Sequence, residues 1–141
     1  KACKNSNKVT QYRLPGVCKP IPLKKFMTCN TDHVVYCIEC PCNRRYVGST
    51  TKKAKCRILE HMRAIKNRDS SYPIARHFSE VHDINKDSIH FYCLDTVERS
   101  IRGGDRVKKL RMLESRYIIA LDSKFPQGLN MGEELSVHLD T

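Results

Sequence analysis

Four polar residues, Tyr36, Tyr46, Arg57 and His61, recur at positions where a sequence built only for packing would not need them. Phenols, a guanidinium and an imidazole are groups that hold anions and hand protons on. A fifth residue, Glu114, stands out for a different reason. On a helix drawn at about 100° per residue, Val107, Leu110, Tyr117, Ile118 and Leu121 project within about 40–60° of it, so the carboxylate falls in the middle of an apolar stripe. Burying an ionised carboxylate without a partner is expensive, and something cationic must meet it. A salt bridge to Arg57 or Arg111 would suffice, as would a divalent metal ion.

The elements that must position these groups can be read from periodicity. Val34-Val35-Tyr36-Cys37-Ile38 has strand length and β-branched content, Pro41-Cys42-Asn43 is a turn, and Arg45-Tyr46-Val47-Gly48 is a second short run, which together predict a β-hairpin. With the strands paired, both phenols can face the same side. Ser49, Thr50 and Thr51 are expected to cap a helix over about Lys52–Lys66, whose stripe is Ala54, Ile58, Met62 and Ile65. Arg57 and His61, four apart, share the border of that stripe, where a side chain can reach a cleft and stay hydrated. Ser70-Ser71-Tyr72-Pro73 predicts a second helix start with serine caps, running Ile74 to about Val81. Ser88–Leu94 alternates as a third strand, and a last helix covers about Asp105–Leu121. Phe125–Asn130 is a turn. The expected fold class is α+β: a small three-stranded antiparallel sheet flanked by helices.

Eight cysteines are present. An even count would suit a secreted disulfide framework, but Cys37, Cys40 and Cys42 crowded near a pair of histidines suit metal ligation in a reducing compartment better. Cys40 and Cys42 flank Pro41, where irregular backbone can aim two thiolates at one centre. His77 and His82 would diverge by roughly 140° on a continuous helix, so they meet at one ion only if the helix tightens or ends between them. Cys40, Cys42, His77 and His82 then form a closed Cys2His2 zinc site, structural because no ligand position is left for water. Cys37 is an alternative to Cys42 through C-x-x-C spacing. Cys3, Cys18 and Cys29 lack a histidine pair or a C-x-x-C of their own.

At 141 residues the chain fits one domain with a modest core. Twenty-six basic against fifteen acidic residues give a formal net charge of +11, which favours a polyanionic partner. Arg44, Arg45, Lys52, Lys53 and Lys55, near the hairpin and the first helix, are the candidate phosphate contacts. No apolar run approaches the length of a membrane span. Residues 1–28 read as a basic, proline-broken arm or linker with at most short strands, and residues 131–141 as an acidic tail.

The pattern of a tyrosine strand, a short turn, Tyr46-Val47-Gly48 and then Arg57-x-x-x-His61 resembles the GIY-YIG nuclease domain, with Val34-Val35-Tyr36 at the first motif. Valines replace that motif's glycine and isoleucine, a change that keeps the strand and the tyrosine. Glu114 and Asn130 stand in the order and context of that family's metal-binding glutamate and late asparagine. Cys40-Pro41-Cys42, His77, His82 and Gly103-Gly104-Asp105-Arg106 more narrowly resemble the endonuclease domain of Penelope-like retroelements, over about Cys29–Asn130. That resemblance selects Cys42 over Cys37.

It implies a metal-dependent DNA endonuclease, with Mg²⁺ or Mn²⁺ held by Glu114 alongside the structural Zn²⁺. Water would attack phosphorus while Tyr36 or Tyr46 takes its proton, Arg57 stabilises the transition state, His61 orients a tyrosine and Asn130 positions a neighbouring group. A free phenol, of pKa about 10, is a poor base near neutrality, so the metal, Arg57 and His61 would have to favour its ionised form. It further implies a nuclear protein whose nick leaves a 3′-hydroxyl to prime reverse transcription, by a polymerase domain N-terminal to this one and its template RNA. The competing expectation is a non-catalytic zinc-containing module that binds nucleic acid.

Overall fold

The computed structural model describes residues 27–82, 89–100 and 104–130, together with two short backbone segments of the N-terminal arm. Those segments, β1 (Gln11–Tyr12) and β2 (Ile21–Pro22), pair antiparallel over two residues. The rest of the arm and the 131–141 tail lie outside the described residues. The main body follows the order β3 (Val34–Glu39), β4 (Arg45–Thr50), α1 (Ala54–Lys66), α2 (Pro73–Val81), β5 (His90–Thr96) and α3 (Arg106–Ala120). None of these helices is long and apolar enough to cross a membrane.

The three main strands form one antiparallel sheet in the order β4-β3-β5. Its central strand carries the continuous apolar run, and residues 34–38 are buried without exception. That is what a strand covered on both faces requires. Side chains alternate across the pleat, so Tyr36 and Ile38 pack with Ile58, Ile65, Ile74 and Phe78 of α1 and α2. Val35, Cys37 and Val47 pack with Leu110 and Ile118 of α3. The sheet is therefore a divider, with α1 and α2 on one side and α3 on the other.

Sequence periodicity misplaces some boundaries for identifiable reasons. The third strand runs to Thr96, beyond the expected Leu94, because the register slips between Val35 and Tyr36: Val35 faces Asp95 while Tyr36 faces Cys93. The extra residue, Leu94, makes two consecutive residues buried and breaks the alternation that marks a strand in sequence. Ser49 and Thr50 do not cap α1. They continue β4, and α1 starts behind Lys53 with no side-chain cap. Tyr72, not a serine, occupies the cap position of α2, with Pro73 in the first turn. Asp105 does cap α3, accepting from the Lys108 amide at 3.0 Å.

β4 lies at the sheet edge, where outward backbone groups need partners. The turn after α3 supplies them. Asn130 Oδ1 accepts from the Val47 amide at 2.8 Å and its Nδ2 donates to the Val47 carbonyl at 2.7 Å, so one side-chain amide acts as a peptide added to the sheet. Ser123 donates to the same Oδ1 at 2.7 Å, and the Leu129 amide donates to the Arg45 carbonyl at 2.9 Å. Replacing Asn130 by alanine strands three buried polar groups. Asn130→Ala is expected to lower unfolding free energy by about 2–4 kcal/mol in a urea titration, and an unchanged midpoint would contradict the clamp.

Candidate functional site

The pleat fixes which side chains can meet. Tyr46 stands opposite Ile38 and Gly48 opposite Tyr36, so both tyrosines project toward α1 and α2 as the spacing predicts. Tyr36 lies across β4 at the one position with no side chain in the way: a Cβ on Gly48 would collide with its hydroxyl and ring. That close approach is why a glycine is required there. The hydroxyl reaches His61 Nε2 at 2.7 Å and accepts from Arg57 Nε at 3.2 Å. One turn of α1 thus brings the guanidinium and the imidazole to a single oxygen.

His61 departs from the expectation of a hydrated border residue. It is 1% exposed and enclosed by three phenol rings, those of Tyr36, Tyr46 and Tyr72, with centroids at 5.4, 5.8 and 5.6 Å. The border of a helical stripe is buried when a second helix packs over it, and α2 brings Tyr72 to do so. Burial and the neighbouring Arg57 charge push the imidazole down to about 4, so it is neutral at physiological pH. Its Nδ1 has no hydrogen-bond partner among the described residues.

Glu60, which periodicity did not single out, fixes the cationic side of the pocket. It accepts from Arg57 Nη1 at 2.8 Å and from Lys52 Nζ at 2.7 Å. The Lys52 hydrogen bond, joined by the hydrogen bond and charge of Arg57, holds its carboxyl below the usual range against the opposing effect of burial. Burial opposes the Arg57 charge, but Tyr36 and Glu60 more than restore it. The only sequence signal for Glu60 was its place three residues after Arg57.

Glu114 is 5% exposed, as its place in the apolar stripe of α3 requires. Ser49 Oγ donates to Glu114 Oε1 at 2.5 Å. Arg111 lies on the exposed side of α3, and Val107, expected in the stripe, is also exposed. Ser49 shares the α3 face of β4 with Val47, so Glu114 approaches the edge strand from the side opposite the tyrosines. The two halves of the site abut consecutive residues, Gly48 and Ser49. The candidate basic residues do not form one patch. Arg44 and Arg45 stand at the hairpin end of β4, whereas Lys52, Lys53 and Lys55 stand at its other end, with Lys52 engaged by Glu60. Asn130 is wholly buried and positions Val47, between Tyr46 and Gly48, through its backbone.

Cys40, Cys42, His77 and His82 come together, with donor atoms within 4.8 Å of one another. Cys40 Sγ is 2.8 Å from His82 Nε2, and Cys42 Sγ is 3.2 Å from His77 Nε2. A tetrahedral ion with bonds of about 2.0–2.3 Å separates such ligands by about 3.5 Å, so a small outward adjustment would admit one, and the cluster can hold a metal ion. The angular obstacle disappears because α2 stops at Val81 and His82 is extended, at φ −120° and ψ 165°. The hairpin turn is tightened by hydrogen bonds from Cys40 N to Arg44 O and from Asn43 N to Cys40 O, with Asn43 left-handed at φ 70°. Burial, with the charges of His82 and Arg44, holds His77 toward its neutral, ligating form. Cys37 is excluded as a ligand because the pleat sends it to the α3 side, where burial pushes its thiol far up.

The buried imidazole has a measurable consequence. Between about pH 4 and 6.5 the unfolded chain binds a proton at His61 that the folded chain does not, so stability rises with pH across that window and is flat above it. Wild type is expected to lose roughly 2–3 kcal/mol more than His61→Gln between pH 7 and 4.5 in urea unfolding. Equal losses would place the imidazole in water. Comparison with family models, with curated proteins and with solved structures returned no match to this chain.

Proposed function

We propose that the chain is a metal-dependent DNA endonuclease of the GIY-YIG type, resembling that of Penelope-like retroelements, and that its metal cluster holds a structural Zn²⁺. The observation that carries this reading is the Tyr36 hydroxyl, laid over Gly48 and addressed by both Arg57 and His61. A structural tyrosine would need neither a bare strand position beneath it nor a guanidinium beside its oxygen. With the neutral His61 donating from Nε2 and Arg57 donating from Nε, the oxygen has two donors suited to a phenolate, the form that accepts a proton from attacking water. Tyr36 is therefore the assigned general base. Tyr46, more exposed, lines the approach. His61, shut off from solvent, orients Tyr36.

Arg57 stabilises charge on the phosphorane as the phosphate displaces Glu60 from it. Glu114, oriented by Ser49, would hold a Mg²⁺ or Mn²⁺ ion that supplies charge neutralisation to the phosphate. The net charge of +11 supports a polyanionic substrate. In the retroelement setting the nick yields a 3′-hydroxyl primer for a linked reverse transcriptase in the nucleus.

Supercoiled plasmid with Mg²⁺ is expected to be nicked by the wild type. Tyr36→Phe and Glu114→Ala should each slow nicking about 10²–10⁴-fold with folding intact. Absence of nicking by wild type, or full activity in Glu114→Ala, would leave a zinc-containing nucleic-acid-binding module. Elemental analysis should find about one zinc per chain, lost in Cys42→Ser and His77→Ala and retained in Cys37→Ser. Retention in all three would refute the ligand set.

A further inference from the structure

A groove of about 320 Å³ lies away from the tyrosines, beside the metal cluster. Cys42, Arg44, Arg76, His77, Val81 and Phe125 are among the residues that line it. Phe125 is 55% exposed. An isolated exposed phenyl means little, but this one is held on a tied loop. Its amide donates to the Asn130 carbonyl at 2.6 Å, and Gly128 N donates to Lys124 O at 2.9 Å. Gly128 itself sits so close that a Cβ would collide with the Ser123 carbonyl. The backbone that carries the ring is thus tied down, and the groove also takes two exposed guanidiniums and one carboxylate, Glu80, among the described residues that line it.

We propose that this groove is a nucleotide subsite: an unpaired base of the target strand stacks on Phe125, with its flanking phosphates on Arg44 and Arg76. Flat aromatic surface with adjacent guanidiniums is the chemistry that takes single-stranded nucleic acid, whereas a paired duplex cannot offer a base face. The location fits a strand that also visits the tyrosine pocket, because Arg44 directly precedes β4 and about 13 Å of extended chain separates it from Gly48. The Leu129 amide, bonded to the Arg45 carbonyl, joins the Phe125 loop to that same edge. Two residues of the Cys2His2 cluster, Cys42 and His77, line the groove. This inference deepens the nuclease reading by naming its substrate class: duplex DNA with unpaired nucleotides next to the nick.

The test measures binding, without added Mg²⁺, of zinc-loaded protein to fluorescent duplexes that are fully paired or carry a two-nucleotide bulge. Wild type is expected to favour the bulged duplex at least tenfold. Phe125→Ala should abolish that preference while leaving paired-duplex affinity unchanged, Phe125→Tyr should keep it, and Arg76→Ala should weaken bulged binding. Melting temperature and zinc content of each variant report on folding. Equal wild-type affinity for the two duplexes, or an unaltered preference in a folded Phe125→Ala, overturns the subsite. If plasmid nicking persists in that case, the nuclease reading survives. If the Phe125-dependent preference is present but no nicking occurs, the subsite stands and the nuclease reading falls.

Discussion

The close passage of Tyr36 over Gly48 is the constraint on which the site depends. A tyrosine in the central strand normally points away from the sheet plane, toward the layer that covers it. Here its ring crosses the neighbouring edge strand at a residue without a side chain, and its hydroxyl arrives where α1 presents Arg57 and His61. Each participant is held by a different element: Tyr36 by the centre of the sheet, Gly48 by its edge, and the two polar partners by one turn of helix. None of them is placed by a flexible loop, which suits a site that must keep its geometry when a substrate arrives.

The edge strand is correspondingly well secured. Edge strands expose unpaired backbone groups and can fray or recruit other chains. In this fold the Asn130 side chain completes the ladder at Val47, directly between Tyr46 and Gly48, and Leu129 does the same at Arg45. The site would otherwise rest on the least supported strand of the sheet. A buried network whose members all have partners is stiff, and stiffness here is delivered to the residue that Tyr36 lies across.

The Cys2His2 cluster, which can hold a metal ion, lies at the hairpin end of the same strand pair. Its residues come from the turn between β3 and β4 and from the end of α2. Cys40 is buried in the apolar cluster that includes Phe78 of α2, whereas Cys42 is exposed. Four donors around one ion can hold the turn against the helix at a cost of few residues, a common device in small domains with limited cores. α2 also carries Tyr72 at its start, the ring that closes over His61, so anchoring the end of α2 bears on the pocket as well.

Much of this was legible in the sequence because it depends on period and composition. The continuous apolar run of Val34–Ile38, the stripe of α1 and the alternation after residue 89 dictate a small sheet with helices, and the Cys-x-Cys turn with two histidines points to a cluster that can hold a metal ion. The presence of a carboxylate in the apolar stripe of α3 likewise announced a buried Glu114. What sequence could not settle were relations across elements. Whether His61 is wet or dry depends on α2 folding over α1. That Ser49 meets Glu114 follows from which pleat face β4 turns to α3. Cys37 is separated from Cys40 and Cys42 by sheet geometry that linear spacing cannot express, and Glu60, Tyr72 and the Phe125 groove emerge only when segments distant in the chain become neighbours. Local periodicity determines elements, because it is a property of consecutive residues. The pairing of particular side chains belongs to packing, where register and the stacking of layers decide which atoms come within a hydrogen bond of one another.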